Sequence, residues 1–227
     1  GFADGVNSGT SALFVALRAL ELPAFSEVIV PAVSDAGGVM PVALCNLIPI
    51  PADCAPGSYN VGPEQVTARL SERTSAILVA HIAGLPVDMD PILEIASAAG
   101  IPVIEDCAQA HGSRYKGRLV GSIGDVGAFS TMSIKHHATA SQGGVVFTKD
   151  PEVGQRARRV SDRGKPFGLE NQATNVVAAH NMNQNDLAAA VGRVQLRKLP
   201  EIIAGRREVA AALSRGLEKL HTIRMVG

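Results

Sequence analysis

Short, mostly apolar runs alternate along this chain with segments of helical periodicity. Six such runs predict strands that are buried on both faces: Glu27–Val30, Leu47–Ile50, Ser75–Ala80, Ile101–Ile104, Val126–Phe129 and Gly144–Thr148. Strands of this kind that alternate with helices indicate an α/β fold. We predict three layers, α/β/α, around a mostly parallel mixed sheet.

The helices are predicted from apolar residues at spacings of three and four, from caps and from prolines at first turns. They are Thr10–Leu20, Gly37–Cys45, Pro63–Leu70, Asp88–Ala99, Glu152–Val160 and Asp186–Leu217. Gly100 suits the end of the fourth. We expect the last helix to break near Pro200, and a further strand to begin at Met225-Val226-Gly227.

Composition narrows the class of protein. Hydrophobic residues make up 46% of the 227 residues, which permits a sizeable core. Lys+Arg and Asp+Glu are both 21, and this balance gives no support for binding to nucleic acid or to a membrane surface. No apolar run approaches the roughly 20 residues of a membrane span. The three cysteines show no metal-ligand spacing and indicate reduced thiols, hence a cytoplasmic protein.

An acidic pair and a lysine follow two of the predicted strands. Glu105 and Asp106 come at the carboxyl end of Ile101–Ile104, and Lys135 lies shortly after Val126–Phe129. In α/β proteins, ligands bind outside the carboxyl ends of the strands. One carboxylate and one amine at that edge suit pyridoxal 5'-phosphate (PLP), because the acid can pair with its pyridine nitrogen and the amine can capture its aldehyde as a Schiff base.

Each of these residues also has an ordinary structural interpretation. Asp106 could cap the next helix or bind a cation. If it instead holds the pyridine ring, Gln109, three residues later, could reach the same ring. Lys135 could be a solvated loop lysine, since a lysine nucleophile requires a lowered pKa. His136-His137 invites a metal, but adjacent histidines do not share a face well and no third ligand stands nearby. We predict no metal site.

Three further segments are ambiguous by themselves. Asn7-Ser-Gly-Thr-Ser11 places hydroxyls and free N–H groups at a helix start, which suits either a phosphate site or an ordinary N-cap. Asp35 follows a strand end, where a helix cap is the default. Asn181 lies in a polar run that could simply be the entry to the long helix.

Taken in order, these motifs resemble those of the nucleotide-sugar aminotransferases, a PLP-dependent family of fold type I in the aspartate aminotransferase superfamily. The matching segments span essentially the whole chain: Asn7-Ser-Gly-Thr-Ser-Ala-Leu13, Glu27-Val-Ile-Val-Pro-Ala32, His81-Ile-Ala-Gly-Leu-Pro-Val-Asp-Met-Asp90, Val103-Ile-Glu-Asp-Cys-Ala-Gln-Ala-His-Gly112, Gly124-Asp-Val-Gly-Ala-Phe-Ser130, Lys135, Gly143-Gly144, and Asn181 with Ala189-Ala190-Val191-Gly192. Each motif is modest alone, whereas the ordered set at this spacing is specific.

The resemblance implies a role for each candidate residue. Lys135 would carry the Schiff base and then shuttle the proton between the substrate carbon and the cofactor. Asp106 would pair with the pyridinium nitrogen, and Gln109 would lie near the ring hydroxyl. Thr10, Ser11 and Ser130 would hold the phosphate. The resemblance further implies that Asn181 reaches the phosphate in a partner subunit, so that active sites are shared in a homodimer.

This chain departs from the family pattern at two places. Asp35 stands where the family carries an aromatic residue that stacks on the cofactor ring, so an acid at the cofactor could instead contact a substrate amine or hydroxyl. Between Lys135 and Gly143 there is one residue more than usual. If the family spacing is counted forward from Phe129, Lys135 falls on the position of the family's lysine. If it is counted backward from Gly143, His136 falls there instead. We take the count from Phe129, because the strand end fixes that residue.

The resemblance also implies a division into domains. Residues 1–200 would form the PLP-binding large domain, with its N-terminal part missing. Residues 201–227 would form a connector helix and the start of a small C-terminal domain that is largely absent.

The function implied is transfer of an amino group from glutamate or glutamine to the keto group of a nucleotide-linked sugar or a cyclitol. One alternative is a PLP-dependent sugar dehydratase on the same scaffold. Related dehydratases carry histidine at the lysine position, so Lys135 argues against this alternative. The other is a regulatory or binding protein that keeps the scaffold without turnover, because fold does not determine function.

Overall fold

The computed structural model describes residues 1–169, 171–218, 220 and 222. Nine strands lie in this part of the chain: β1 (Phe2–Val6), β2 (Glu27–Pro31), β3 (Ile48–Ala52), β4 (Thr74–Ala80), β5 (Val103–Asp106), β6 (Arg114–Tyr115), β7 (Arg118–Leu119), β8 (Val126–Ser130) and β9 (Gly144–Thr148). Six α-helices accompany them: α1 (Gly9–Ala19), α2 (Ala36–Leu44), α3 (Pro63–Thr67), α4 (Met89–Ala99), α5 (Pro151–Ser161) and α6 (Asp186–Leu217).

Seven strands form one sheet in the order β1–β9–β8–β5–β4–β2–β3, and β6 and β7 form a separate hairpin. The strands β3, β2, β4, β5 and β8 run parallel, whereas β9 is antiparallel to β8 and β1 is antiparallel to β9. The predicted α/β class with a mostly parallel mixed sheet is confirmed. The parallel strands bring their carboxyl ends to one edge, with Ala80 beside Asp106 and Asp106 beside Ala128.

Apolar side chains cover both faces of the sheet, which is why the central strands are apolar without alternation. On one face Leu78 and Ile104 pack with residues of α1, α2 and α5. On the other face Ile77 and Val103 pack with residues of α3 and α4. Successive residues of β5 therefore point into different layers. Glu105 follows Val103 onto the second face, and Asp106 follows Ile104 onto the first.

The twelve predicted strands and helices are all present, with ends that differ by a few residues. The end of α4 follows the prediction closely, because Gly100 adopts the left-handed conformation (φ 66°) that terminates a helix without strain. Segments with strong apolar periodicity or a cap were thus well predicted from the residues alone.

The prediction of a break near Pro200 was wrong, because α6 is continuous from Asp186 to Leu217. A proline removes one backbone hydrogen bond, and in a helix of 32 residues the bonds on both sides persist. The predicted domain boundary at residue 200 therefore falls inside a helix, and the division into two domains stays a prediction. Within the described chain no helix is both long and apolar enough to cross a membrane. The strand expected at residues 225–227 lies outside the described residues.

Strand β1 and the hairpin β6–β7 were not predicted. The sequence of β1, Phe2-Ala-Asp-Gly-Val6, has no clear alternation, and its pairing with β9 supplies the missing information. Asp4 on this strand is buried and accepts hydrogen bonds from Arg158 and Ser161 of α5. These contacts are tertiary, so a local pattern could not reveal them.

Candidate functional site

A pocket opens at the carboxyl edge of the sheet, where β4, β5 and β8 end and where α1 and α2 begin. It is bounded by the first turns of the two helices and by the loop that follows β8. Six of the eight predicted site residues line it: Thr10, Asp35, Asp106, Gln109, Ser130 and Lys135. Residues far apart in the sequence thus meet at the edge where ligands bind in α/β proteins.

Asp106 ends β5 and faces this pocket. Its Oδ1 accepts a hydrogen bond from the backbone N–H of Ala108 at 2.9 Å, and the residue is 9% exposed. Burial raises the pKa of the Asp106 carboxyl, and the hydrogen bond from Ala108 only partly opposes this effect. A buried carboxylate with one protein donor has capacity for a cationic or hydrogen-bonding group in the pocket.

Glu105, its neighbour, is fully buried on the opposite face of the sheet. Its two oxygens accept hydrogen bonds from the N–H groups of Gly121, Ile123 and Gly124 at 2.7–2.8 Å, and Oε2 lies 3.0 Å from Nε2 of His81. Burial alone would raise the pKa of Glu105, but these donors hold it below its usual value. Glu105 therefore organises the loop before β8 and does not enter the pocket.

Lys135 follows β8 in a turn where its N–H donates to the carbonyl of Met132 at 2.9 Å. Its side chain lines the pocket, whereas His136 lies outside it, with its ring 5.6 Å from that of His111. The structure thus brings the lysine, and not the following histidine, to the pocket. This placement agrees with the count from Phe129, and the role of Lys135 stays a prediction.

The start of α1 forms one wall of the pocket. Ser8 caps the helix by accepting from the N–H of Ser11 at 3.0 Å, and Gly9 and Thr10 occupy the first turn. The first N–H groups of a helix have no partner within it and attract anions. A Cβ at Gly9 would lie 2.6 Å from Cβ of Ser130, so only glycine lets this helix end approach the end of β8.

Asp35 caps α2 as predicted and also lies at the pocket, whereas its contact with a cofactor or substrate stays a prediction. Its Oδ1 accepts from the N–H of Gly37 at 2.8 Å and caps α2, and the side chain also lines the pocket. At the position where the family carries an aromatic residue, this pocket therefore has the carboxylate of Asp35, which already accepts one backbone hydrogen bond.

Ser11 and Asn181 do not line the pocket within this single chain. Ser11 donates to Oδ1 of Asn7 at 2.6 Å, and Ser8 takes the place beside the pocket. Asn181 is exposed and its Oδ1 accepts from the backbone and side chain of Asn183. Contact of Asn181 with a partner subunit stays a prediction.

Several lining residues were not predicted as site residues, among them Ser34 and His81. His81 directly follows β4, and its Nδ1 accepts from the N–H of Val87 at 3.0 Å, so its proton lies on Nε2, facing Glu105. A signal was available, because the histidine follows a buried strand just as Asp106 does. The partner that fixes its ring, Glu105, is distant in sequence.

His81, Glu105 and Cys107 place their donor atoms within 4.8 Å of one another, close enough for metal ligands. Their hydrogen bonds favour another interpretation, since His81 and Glu105 already bond to each other and to backbone groups. Burial, with the nearby carboxylates of Glu105 and Asp106, raises the pKa of the Cys107 thiol, which disfavours the thiolate that metals bind. This cluster serves as core structure.

A profile of the DegT/DnrJ/EryC1/StrS aminotransferase family matches residues 1–226. The chain belongs to this family. The predicted resemblance to nucleotide-sugar aminotransferases is thereby confirmed.

Among the similar curated proteins, one is named as a synthase, one as a transaminase and one as an aminotransferase. The chain is 32% identical to GDP-perosamine synthase of Escherichia coli O157:H7, over 96% of this chain and 59% of that protein. It is 34% identical to dTDP-3-amino-3,4,6-trideoxy-alpha-D-glucose transaminase of Streptomyces venezuelae, over 96% and 56%. With L-glutamine:2-deoxy-scyllo-inosose aminotransferase of Micromonospora echinospora the identity is 36%, over 94% and 53%. The chain thus spans little more than half the length of these relatives.

Solved structures of the family share the fold. DesV of S. venezuelae, solved in complex with a ketimine intermediate, superposes with a TM-score of 0.90 at 34% identity, over 96% of this chain and 58% of that one. A 3-amino-5-hydroxybenzoic acid synthase gives 0.92 at 34% identity, over 99% and 59%. Aminotransferases of this family use PLP, so the pocket can be tested for that cofactor.

The donor set of the pocket fits PLP. A carboxylate, Asp106, suits the ring nitrogen, and a primary amine, Lys135, suits the aldehyde. The first turn of α1 with the hydroxyls of Thr10 and Ser130 suits the phosphate. A Cβ at Gly38 would lie 3.3 Å from Oδ2 of Asp106, so the small residue keeps space open beside the carboxylate.

Proposed function

We propose that this protein is a PLP-dependent aminotransferase that moves an amino group from glutamate or glutamine to a keto group. The acceptor is a nucleotide-linked sugar or a cyclitol. The observation that carries the proposal is the meeting of Lys135, Asp106 and the first turn of α1 in one pocket. Family membership supports the reaction class.

Bound PLP supplies an aldehyde for an amine and a ring that withdraws electrons from the substrate carbon. Asp106 is suited to hold the ring nitrogen in its protonated form. Burial disfavours the charged carboxylate here, and a cation beside it would reverse that preference. Gln109 is suited to the ring hydroxyl, although its Oε1 is already engaged by the N–H of Ala83 at 2.7 Å.

Lys135 has two tasks in this proposal. It would hold the cofactor by its amine. Once the incoming amino group has displaced it, the free amine would take the proton from the substrate carbon and pass it to the cofactor. Its short turn after β8 supports this double use, because the strand end fixes the backbone while the long side chain can swing.

The phosphate is assigned to the first turn of α1 with Thr10 and Ser130, and Ser8 is better placed than Ser11. Asn181 is assigned to the phosphate of a partner subunit, which makes the working unit a homodimer with shared sites. Its exposure is compatible with that assignment. The unpaired thiols of Cys45, Cys54 and Cys107 support a cytoplasmic location.

The amino donor and the acceptor are inferred from relatives. One relative is named as an L-glutamine-dependent aminotransferase of a cyclitol ketone, and others are named for GDP- and dTDP-linked sugars. The dehydratase alternative has less support, because Lys135 and not His136 lines the pocket.

The test is a screen of amino donors on protein reconstituted with PLP. We expect glutamate or glutamine to convert the visible absorbance of the bound cofactor to that of the pyridoxamine form, with release of the matching keto acid. Lys135→Ala should abolish the conversion, and Lys149→Ala, which changes an exposed lysine after β9, should leave it intact. Tight PLP binding without conversion by any amino acid would instead favour a regulatory protein.

A further inference from the structure

Asp35 presents to the pocket a carboxylate that nothing in the described chain neutralises. Its Oδ1 accepts from the N–H of Gly37 at 2.8 Å, whereas Oδ2 has no hydrogen-bond partner in that part of the chain. The carboxylate takes part in none of the ion pairs among the described residues. One oxygen of Asp35 therefore caps α2, and the other is free for a ligand.

The other charged groups of the pocket do not balance Asp35. Lys135 is the only lysine or arginine among the described residues that line the pocket, and in the proposed function its amine is taken up by the cofactor. The ring of His81 is neutral, because its Nδ1 accepts a hydrogen bond from a backbone N–H. Asp106 is assigned to the ring nitrogen, and the cofactor phosphate adds negative charge. The occupied pocket thus has an excess of negative charge.

Asp35 also lies close to the groups that are assigned to the cofactor. A Cβ at Gly37 would lie 3.0 Å from Oδ1 of Asp35 and 2.5 Å from Oγ1 of Thr10, so the carboxylate and the hydroxyl border one small space that glycine leaves open. Burial raises the pKa of Asp106, and the negative charge of Asp35 adds to this effect. A ligand that reaches Asp35 is therefore also beside the cofactor.

A cation suits this position better than a neutral hydroxyl. Both can donate to Oδ2 of Asp35, but only a cation offsets its charge, and charge-assisted hydrogen bonds are roughly twice as strong as neutral ones. The amino donor does not supply this cation, because its amino group reacts with the cofactor. What remains charged in glutamate or glutamine is carboxylate, which Asp35 repels. The cation therefore belongs to the acceptor.

We propose that Asp35 is a specificity-determining residue that selects an acceptor which already carries an amino group. The ammonium of the acceptor binds Oδ2 of Asp35 while its keto group faces Lys135. The inference rests on the proposed function and makes its acceptor more specific. A keto sugar or keto cyclitol with an ammonium substituent is preferred over the analogue that has a hydroxyl in its place.

The experiment compares two cyclitols that differ in one group. In scyllo-inositol all ring hydroxyls are equivalent, so scyllo-inosamine, in which one of them is replaced by an ammonium, leaves no choice of position. Neither compound reacts with the pyridoxamine form of the cofactor. Calorimetry on protein saturated with pyridoxamine 5'-phosphate therefore measures binding without turnover. We expect scyllo-inosamine to bind about tenfold more tightly than scyllo-inositol, because the ammonium adds a charge-assisted hydrogen bond.

Asp35→Asn should bring this affinity ratio close to one, with the affinity for scyllo-inositol little changed. Asp150→Asn is the matched control, because Asp150 also caps a helix, α5, through the N–H two residues later and does not line the pocket. It should keep the ratio of wild type. Asp35 is exposed in the open pocket, so added salt should lower the wild-type ratio and leave that of Asp35→Asn unchanged. Loss of the helix cap alone would not produce this salt dependence.

A wild-type ratio near one, or a ratio that Asp35→Asn leaves unchanged, would overturn the proposal. An equal loss in Asp150→Asn would do the same, as would the absence of measurable binding of scyllo-inosamine.

The donor screen separates this inference from the proposed function. If wild type takes up PLP and is converted by glutamate or glutamine, but the affinity ratio is one, only this inference fails. If wild type fails to take up PLP, the proposed aminotransferase function fails. The ratio measured on the cofactor-free protein then still decides whether Asp35 prefers an ammonium.

Discussion

Glu105 and Asp106 are adjacent carboxylates at the end of one strand, and the structure gives them opposite environments. Glu105 accepts from three backbone N–H groups and meets His81, all on the face that carries α3 and α4. Asp106 accepts one backbone hydrogen bond and faces the pocket at α1 and α2. Accordingly, the pKa of Glu105 is held below its usual value and that of Asp106 is raised by burial.

The difference shows how a buried acid can be assigned to structure or to chemistry. A carboxylate whose oxygens are fully used by the protein stabilises the fold and has little left for a ligand. A buried carboxylate with unused capacity costs stability until a ligand provides a donor or a cation. By this criterion Glu105 fixes the loop before β8, and Asp106 is the acid available to a cofactor.

The comparison predicts the largest effect on turnover for Asp106→Asn. The variant should lower the rate of amino transfer by roughly a thousandfold, equivalent to about 4 kcal/mol of barrier, because it removes the charge that stabilises a protonated ring. Stability should be unchanged or slightly higher, since a buried charge is removed. Single-turnover kinetics and denaturant unfolding measure the two quantities, and a strongly destabilised variant with normal turnover would reverse the assignment.

Glu105→Gln should have the opposite profile. An amide in this position would turn its NH₂ group toward backbone donors, so we expect a loss of about 3 kcal/mol in the free energy of unfolding. Urea denaturation tests this, with the exposed Glu94→Gln on α4 as a control that should change little. If the variant unfolds like wild type, the hydrogen bonds of Glu105 do not contribute as the geometry indicates.

The pH dependence of stability should separate the two acids with opposite signs. The folded pKa of Glu105 is lowered from 4.5, so its contribution is complete above that value and is lost as the pH falls through the folded pKa. The folded pKa of Asp106 is raised from 3.8, so its contribution is complete below that value and is lost as the pH rises through the folded pKa.

Unfolding of the cofactor-free protein at a series of acidic pH values measures both contributions. Glu105→Gln should remove part of the fall in stability toward low pH, and Asp106→Asn should remove part of the fall toward higher pH. If both substitutions changed the pH dependence of the free energy of unfolding in the same direction, the distinction between the two acids would be contradicted.

The smallest effect is expected for Asp35→Asn. Asparagine caps helices about as well as aspartate, so the free energy of unfolding should stay within about 0.5 kcal/mol of wild type. The negative charge of Asp35 also contributes to the raised pKa of Asp106. The variant should therefore bind PLP at least as well as wild type, which a cofactor titration would show. A marked loss of PLP affinity would mean that Asp35 itself contacts the cofactor.

Much of this molecule was predictable from sequence. Uninterrupted apolar runs gave the parallel strands, and caps such as Gly100 gave the helix ends, because both depend on local preferences. The candidate site could be assembled because Asp106 and Lys135 follow strands whose carboxyl ends must meet at one edge.

The unpredicted features depend on contacts that join distant segments. Strand β1 is held by β9 and by the bonds of Asp4 to α5. The hydrogen bonds that Glu105 accepts come from backbone groups of a loop 16 to 19 residues later. Helix α6 passes beside His111, and it does so as one helix that continues through Pro200.

The central claim is that Lys135, brought beside Asp106 by the end of β8, holds PLP. The most direct measurement is borohydride reduction of the protein with PLP, followed by mass mapping of the labelled peptide, in wild type, Lys135→Ala and His136→Ala. The account predicts label on Lys135 in wild type and in His136→Ala, and none in Lys135→Ala. Undiminished labelling of Lys135→Ala, or label on a lysine outside the pocket such as Lys149, would contradict it.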